Sequence, residues 1–229
     1  MSLTSGLGPL GKGRAGWFSP PVPAPLVYVE PHPRRVQALR GGQVVLDTER
    51  ALMVHRPGSS LAYAFPTEEV VDLPVEQEPD APGYVRVPWT AVDEWREEGR
   101  LLVNYPPNPY HRVDCRATRR RLNVEVAGAT LVDTDDTVIL FETALAPRLY
   151  VAPAAVRTDQ LRQSSTTSYC NYKGYASYWS AVVGDQVVDD VAWSYEDPLP
   201  ESLPIKGMLS FDAEKVRVVA ELPGALASR

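Results

Sequence analysis

The chain has 229 residues, of which 44% are hydrophobic and 23% charged, and it carries a net charge of −6 at neutral pH. These values are typical of a folded globular protein, and the acidic balance argues against binding to the phosphate backbone of nucleic acid. No stretch is apolar over the roughly 18 residues that cross a bilayer, and no secretory signal opens the chain, which predicts a cytoplasmic protein.

The beginning of the chain is rich in proline and glycine. Residues 1–33 contain seven prolines and five glycines, including the run PPVPAP at 20–25. This composition favours an extended conformation and does not build a core. We therefore predict a flexible tail over residues 1–26. A docking site for a proline-binding partner is the alternative interpretation.

Two stretches of the chain resemble each other. Residues 34–57 align without gaps with residues 120–143, and the aligned polar pairs include Arg35 with Arg121 and Asp47 with Asp133. After a one-residue slip, Tyr63 aligns with Tyr150, and residues 83–92 then align with residues 207–216. The pattern predicts an internal repeat of two β-units.

The second copy is longer, because a block rich in aromatic residues is inserted into it. Its rings are Tyr169, Tyr172, Tyr175, Tyr178, Trp179, Trp193 and Tyr195. A two-residue turn at Gly184–Asp185 separates two apolar runs within this block, which is typical of a β-hairpin. Alternation along the first run places Tyr178 on the face opposite Trp179.

The remaining elements are mostly short strands. One helix is predicted over residues 91–98, with Thr90 as N-cap and Gly99 at its end. The fold class is therefore mainly β: two related antiparallel β-units, each a small barrel or sandwich, with one short helix. The predicted bounds are a tail over 1–26, a first, degenerate unit over 27–112, a second unit with the aromatic hairpin over 113–222, and a tail over 223–229.

Four runs in the chain carry a resemblance to a known family. They are NPYHRVDC (108–115), LFETALAPRLYV (140–151), YCNYKGYASYWS (169–180) and VAWSYEDPLPESLPI (191–205). These runs resemble the bacterial domain of unknown function 427 family, in its tandem form, over roughly residues 27–219. Asn171 departs from the pattern, since the family usually has proline there. The family also carries a nucleotidyltransferase label, which the resemblance does not attach to particular residues.

The sequence gives little support to phosphoryl or metal chemistry. The pairs Asp135–Asp136 and Asp189–Asp190 consist of neighbours, whose side chains point to opposite faces of a strand and cannot share one magnesium ion. No phosphate-binding loop is evident. His111 and Cys115 are tolerably spaced for zinc, but no CxxC pair completes a ligand set. We expect no metal and no cofactor.

The two cysteines, Cys115 and Cys170, are expected as free thiols. Lys173 follows Cys170 by three residues, and a nearby ammonium favours the thiolate form. Cys170 is therefore a candidate nucleophile, although no histidine follows position 111 to serve as its base. An inert packed thiol is the alternative.

A ligand site built on aromatic walls is the favoured hypothesis. An arginine donates a planar fork suited to carboxylate or phosphate, and a lysine supplies a point charge. The alternative is a structural ion pair between Arg148 and Glu142 over a core of aromatic rings. The candidate ligand-binding residues are Glu142, Arg148, Tyr150, Cys170, Lys173, Trp179, Trp193, Tyr195 and Asp197.

These residues predict that the second unit binds a small anionic or nucleotide-like molecule. The pattern leaves open whether a reaction follows, what the ligand is, and how many copies assemble. The other hypothesis is a non-catalytic protein-interaction or structural module. Membranes and nucleic acids are not expected as partners.

Overall fold

The computed structural model describes residues 26–223, together with residues 10, 11, 13, 16–19 and 21. Most residues of the tails predicted over 1–26 and 223–229 therefore lie outside the described residues. The chain divides between His111 and Arg112 into two compact units. Both are built mainly of antiparallel strands in open sheets, which confirms the mainly β fold.

The first unit contains nine strands in two sheets, with the strand orders β1-β4-β5-β7-β6 and β3-β2-β8-β9. The strands are β1 (Tyr28–Pro31), β2 (Val36–Arg40), β3 (Gln43–Thr48), β4 (Leu52–His55), β5 (Ala62–Pro66), β6 (Glu76–Gln77), β7 (Tyr84–Arg86), β8 (Glu94–Glu97) and β9 (Arg100–Leu102). Short 3-10 helices cover Thr67–Glu69 and Trp89–Ala91. The core between the sheets includes Val36, Met53 and Phe65, all fully buried.

The second unit contains ten strands. They are β10 (Val113–Thr118), β11 (Leu122–Val126), β12 (Ala129–Thr134), β13 (Thr137–Glu142), β14 (Arg148–Tyr150), β15 (Leu161–Cys170), β16 (Gly174–Val183), β17 (Gln186–Ser194), β18 (Leu209–Phe211) and β19 (Arg217–Ala220). Their sheets have the orders β10-β13-β14, β12-β11-β19 and β15-β16-β17-β18. The 3-10 helices are Pro153–Ala155, Thr158–Gln160 and Pro200–Ile205.

The aromatic block forms the predicted hairpin. β16 and β17 pair from Val183↔Gln186 onward across the turn at residues 184–185, and a bulge interrupts the pairing between Trp179 and Ala181. β17 then pairs with β18, which joins the hairpin to the rest of the unit. One side of the hairpin buries Ala181 and Val191 in the core.

The helix predicted over residues 91–98 is wrong. Residues 94–97 form strand β8, in which Trp95 and Glu97 are buried while the residues beside them are half exposed. This alternation has the period of a strand, and pairing with β2 fixes it. Gly99 belongs to the turn between β8 and β9, with a positive φ of 78°. All helices in the described part of the chain are short 3-10 segments, and no described helix could cross a membrane.

The two units share their strand registers. The hairpin β2–β3 pairs Val36 with Thr48 and has a bulge after Ala38; β11–β12 pairs Leu122 with Thr134 and has a bulge after Val124. The three positions named in each hairpin coincide in the ungapped alignment of the two copies. The likeness supports an origin by duplication, which remains a proposal.

The one-residue slip that aligned Tyr63 with Tyr150 does not agree with the register. Tyr63 pairs with Met53 in the first unit, whereas Tyr150 pairs with Val138 in the second. The residue of the first unit that corresponds to Tyr150 is therefore Ala64. Tyr150 pairs with Val138, and Ala64 pairs with the residue that aligns with Val138. A slip of one residue would turn every side chain to the other face of the strand.

Candidate functional site

A cavity of about 250 Å³ in the second unit brings together six of the nine predicted residues. They are Glu142, Arg148, Tyr150, Lys173, Trp193 and Tyr195. The cavity is half open, with rings along its sides and charged groups among them. The arrangement is that of a small polar pocket walled by aromatic side chains.

Strand alternation explains how these side chains converge. Leu140 and Glu142 are two residues apart on β13, and Arg148 and Tyr150 are two residues apart on β14, so each pair projects from one face of its strand. Leu140 is paired directly with Arg148 across the two strands. The cavity is therefore anchored on a regular hairpin.

A buried ion pair closes one side of the cavity. The Lys173 ammonium donates a hydrogen bond to Oε2 of Glu142, and both residues are only 7% exposed. The ammonium also lies 6.0 Å from the ring centroid of Tyr195. The alternative interpretation, a structural pair between Arg148 and Glu142, is not what the structure shows, since Lys173 neutralises Glu142. A buried carboxylate requires such a partner.

Arg148 has a different environment. Its guanidinium carbon lies 5.1 Å from the ring centroid of Trp193, a cation–π arrangement. Within the described residues, no carboxylate lies within ion-pairing distance of Arg148, whose side chain is exposed at the cavity. Trp193 is itself held in place, because its Nε1 donates a hydrogen bond of 3.1 Å to the hydroxyl of Tyr150.

The tyrosines of the cavity are uncharged hydrogen-bonding groups. Burial raises the pKa of both Tyr150 and Tyr195 above the ordinary value. Their hydroxyls therefore stay protonated at physiological pH. The formal charges around the cavity come from Glu142, Arg148 and Lys173, and also from Asp212, which lies at its edge.

Three predicted residues do not line the cavity. Trp179 packs against the core and donates a hydrogen bond of 3.2 Å to Ser194. The side chain of Asp197 is 99% exposed and lies 3.9 Å from Lys206. Cys170 ends β15, where it pairs with Gly174, and it is half-buried.

Neither cysteine supplies a reactive group to the cavity. Both thiols are free, as predicted. Burial, followed by the charge of Asp114, raises the pKa of the Cys115 thiol to about 11, which keeps it protonated at neutral pH. No group of three or more metal-ligating side chains occurs among residues that the structure describes.

Five lining residues were missed by the sequence reasoning: the apolar Leu140, Leu145 and Ala146, and the polar Tyr178 and Asp212. Tyr178 had a usable signal, because alternation along β16 separates it from the core-facing Trp179; its hydroxyl lies 2.9 Å from that of Ser168. No signal in the sequence pointed to Asp212. This residue follows β18 in an irregular turn, and its place at the cavity depends on the tertiary fold.

Comparison with known proteins gives one match. The sequence pattern of a family described as domain of unknown function (DUF427) matches residues 114–221. No curated protein sequence matches the chain. The matched residues include every side chain that lines the cavity, from Leu140 to Asp212. Residues 114–221, which make up nearly all of the second unit, are therefore similar to the DUF427 family.

Proposed function

We propose that the second unit binds a small anionic ligand, with Arg148 as the anchoring residue. The observation that carries this proposal is the guanidinium of Arg148, which stacks on Trp193 beside a cavity and lacks a carboxylate partner among the described residues. Every other positive charge at the cavity is already neutralised.

Lys173 has a positioning role in this proposal. Its charge is balanced by Glu142, and both groups are buried. A ligand that took Lys173 away from Glu142 would remove the ammonium that balances this buried carboxylate, which is costly. The anion is therefore expected at Arg148, whose fork of N–H donors can bind two oxygens at once.

The stacked arrangement favours binding in a second way. The indole of Trp193 is fixed by its hydrogen bond to Tyr150, so the guanidinium that rests on it is already oriented before a ligand arrives. Less conformational entropy is then lost on binding. A carboxylate or a phosphate can accept two parallel hydrogen bonds from such a guanidinium, one at each of two oxygens.

The size of the cavity limits the ligand. Its volume of about 250 Å³ is below the range of about 300–1,000 Å³ that holds drug-sized molecules. The rings of Tyr178 and Trp193 supply apolar contact for a small hydrophobic or planar portion. The proposed class is an anionic group on a compact body, such as the phosphate-bearing part of a nucleotide.

The alternative of a protein-interaction module has one supporting feature. Tyr175 is 62% exposed and forms a cross-strand pair with Tyr169, with ring centroids 4.7 Å apart. One exposed ring beside a half-buried one is less than the contiguous apolar patches that usually mark an interface. A formed cavity with an available arginine is the stronger observation.

The test is calorimetric titration of the protein with inorganic phosphate and pyrophosphate. We expect Arg148→Ala to weaken binding at least about tenfold, because a charge-assisted pair is lost. Arg148→Lys should recover only part of it, since an ammonium lacks the fork. Arg157→Ala removes another exposed arginine of this unit and should have no effect. Binding that survives Arg148→Ala, or no anion binding by the unchanged protein, would refute the proposal.

A further inference from the structure

A second cavity, of about 370 Å³, lies within the first unit. The sequence comparison suggested no site there, because this copy lacks the aromatic hairpin. The cavity nevertheless has five aromatic side chains in its lining: Tyr63, Phe65, Trp89, Trp95 and Tyr105. Its volume falls within the range of small-molecule sites.

The missing hairpin explains why this cavity exists. In the second unit the hairpin lays Trp179, Val183 and Val188 against the core. The first unit has no corresponding strands among its described residues, so the equivalent edge of its core is left open. Larger rings partly compensate there, since Tyr63 and Phe65 occupy the register positions of Leu149 and Val151.

The rings form a continuous stack. Phe65 and Trp95 are nearly parallel, at 9° with centroids 5.7 Å apart, and Trp95 and Trp89 follow at 22° and 5.2 Å. Trp95 donates its indole hydrogen bond to the backbone of Trp89, which fixes their relation. Trp89 ends the stack and is only half-buried, so a further planar ring can extend it.

Polar groups at the cavity have unused hydrogen-bonding capacity. The side chains of Ser60 and Asn104 line it, and neither forms a hydrogen bond with another described residue. Both offer donors and acceptors to the edge of a ring.

The charges of this cavity do not favour an anion. Arg86 lies 3.1 Å from Glu76 and 3.3 Å from Glu78, so its charge is already matched. Arg56 pairs with Glu78 and Asp80 in the same cluster. Three carboxylates face two guanidinium groups, which leaves no available positive charge.

We propose that the first unit binds an uncharged, planar heteroaromatic compound by stacking on Trp89, with Ser60 and Asn104 bonded to the ring edge. This site is independent of the anion site in the second unit. The two sites differ in the charge of the expected ligand, because the arginines of the first unit are already neutralised by carboxylates. They also differ in their rings, which are stacked in the first unit.

Adenosine is a suitable probe, because it is planar, heteroaromatic and uncharged. We expect calorimetry to show adenosine binding and no binding of ribose, which lacks the ring. Trp89→Ala should weaken adenosine binding roughly 5- to 150-fold, as for loss of one base stacked on an aromatic ring. Trp89→Phe should retain most of it.

Further variants guard against misfolding and against confusion with the second unit. Asn104→Ala, at an exposed position, should weaken adenosine binding without loss of the fold. Arg148→Ala should leave adenosine binding unchanged while it removes phosphate binding. The proposal is overturned if adenosine fails to bind at millimolar concentration, if binding withstands Trp89→Ala, or if ribose binds equally well.

Discussion

The two units place opposite charges at matching positions of a shared strand register. Glu142 ends β13 in the second unit, and Arg56 directly follows β4 at the aligned position of the first. On the neighbouring strands, Trp193 pairs with Ser210, whereas Glu76 pairs with Arg86. The ionic side chain of Glu76 thus stands in the first unit where the ring of Trp193 stands in the second.

The consequence is a difference in available positive charge, because each unit has a cavity but only the arginines beside the first one are paired with carboxylates. Arg56, Glu78, Arg86 and Asp80 form a closed ionic cluster. At the cavity of the second unit, Lys173 is paired with Glu142, while the guanidinium of Arg148 rests on the indole of Trp193. A common framework can therefore carry arginines that are paired with carboxylates in one unit and an arginine available to a ligand in the other.

The largest expected effect comes from the buried pair of Lys173 and Glu142. Lys173→Ala removes the ammonium that balances the buried carboxylate of Glu142, so we expect a loss of about 3–5 kcal/mol in the free energy of unfolding. Urea unfolding measures it. Lys206→Ala, which removes an exposed lysine 3.9 Å from Asp197, should cost less than about 1 kcal/mol. Equal costs for the two variants would show that the Lys173 pair is not buried in solution.

A second prediction concerns acid stability of the first unit. Burial alone would raise the pKa of Glu97, but hydrogen bonds from His32, Arg34 and Tyr63 outweigh it and lower the pKa to about 2. A lowered carboxyl pKa stabilises the fold above the unfolded value of about 4.3. This contribution, about 3 kcal/mol, is lost as the pH falls toward 2.

The Glu97 effect can be measured by urea unfolding between pH 7 and pH 2. Glu97→Gln should lower stability at pH 7 and reduce the pH dependence, whereas Glu94→Gln, which alters a more exposed carboxylate on the same strand, should change neither. In the second unit, the register position that corresponds to Glu97 is occupied by Ala220, which has no carboxylate to protonate. Hydrogen exchange in acid should therefore show opening first in β2 and β8. Uniform opening would contradict this assignment.

A smaller effect is expected from the ionic cluster of the first unit. Arg56→Ala removes one partner of the buried Glu78, but Arg86 remains 3.3 Å away. We expect a cost of about 1–3 kcal/mol, below that of Lys173→Ala, because the carboxylate keeps one counter-charge. Thermal unfolding with the double variant Arg56→Ala/Arg86→Ala checks this. If the second substitution adds nothing, Arg86 does not share the charge of Glu78.

The smallest effect tests the likeness of the two hairpins. Arg35 pairs with Asp47 in the first unit, and Arg121 pairs with Asp133 at the aligned positions of the second. Both pairs are exposed, so each alanine substitution should lower the unfolding temperature only slightly and to a similar extent. High salt should abolish both effects. A large shift for one arginine alone would indicate unequal surroundings.

Local patterns predicted the aromatic hairpin, because Gly184–Asp185 is a turn signal between two apolar runs. The same reasoning failed over residues 91–98, where charged residues and a possible cap suggested a helix. Burial of Trp95 and Glu97 on one face of β8 decided the outcome, and that depends on pairing with β2. Local propensity is routinely overridden by such tertiary contacts.

The candidate site was predictable in its aromatic part and less so in its charges. Trp193 and Tyr195 follow from composition, but the choice of Lys173 over Arg148 as the partner of Glu142 depends on a turn that returns to β13. The alignment of Tyr63 with Tyr150 relied on residue identity, whereas strand register sets the true correspondence. The cavity at Trp89 was missed because an absent hairpin suggested an absent site.

Nuclear magnetic resonance of the five tryptophan indole N–H groups tests the central claim most directly, since Trp193 belongs to one cavity and Trp95 to the other. On titration with pyrophosphate, we predict that the Trp193 signal shifts with saturation, that the Trp95 signal stays in place, and that Arg148→Ala abolishes the shift. An unmoved Trp193 signal, or equal shifts at Trp193 and Trp95, would contradict the account.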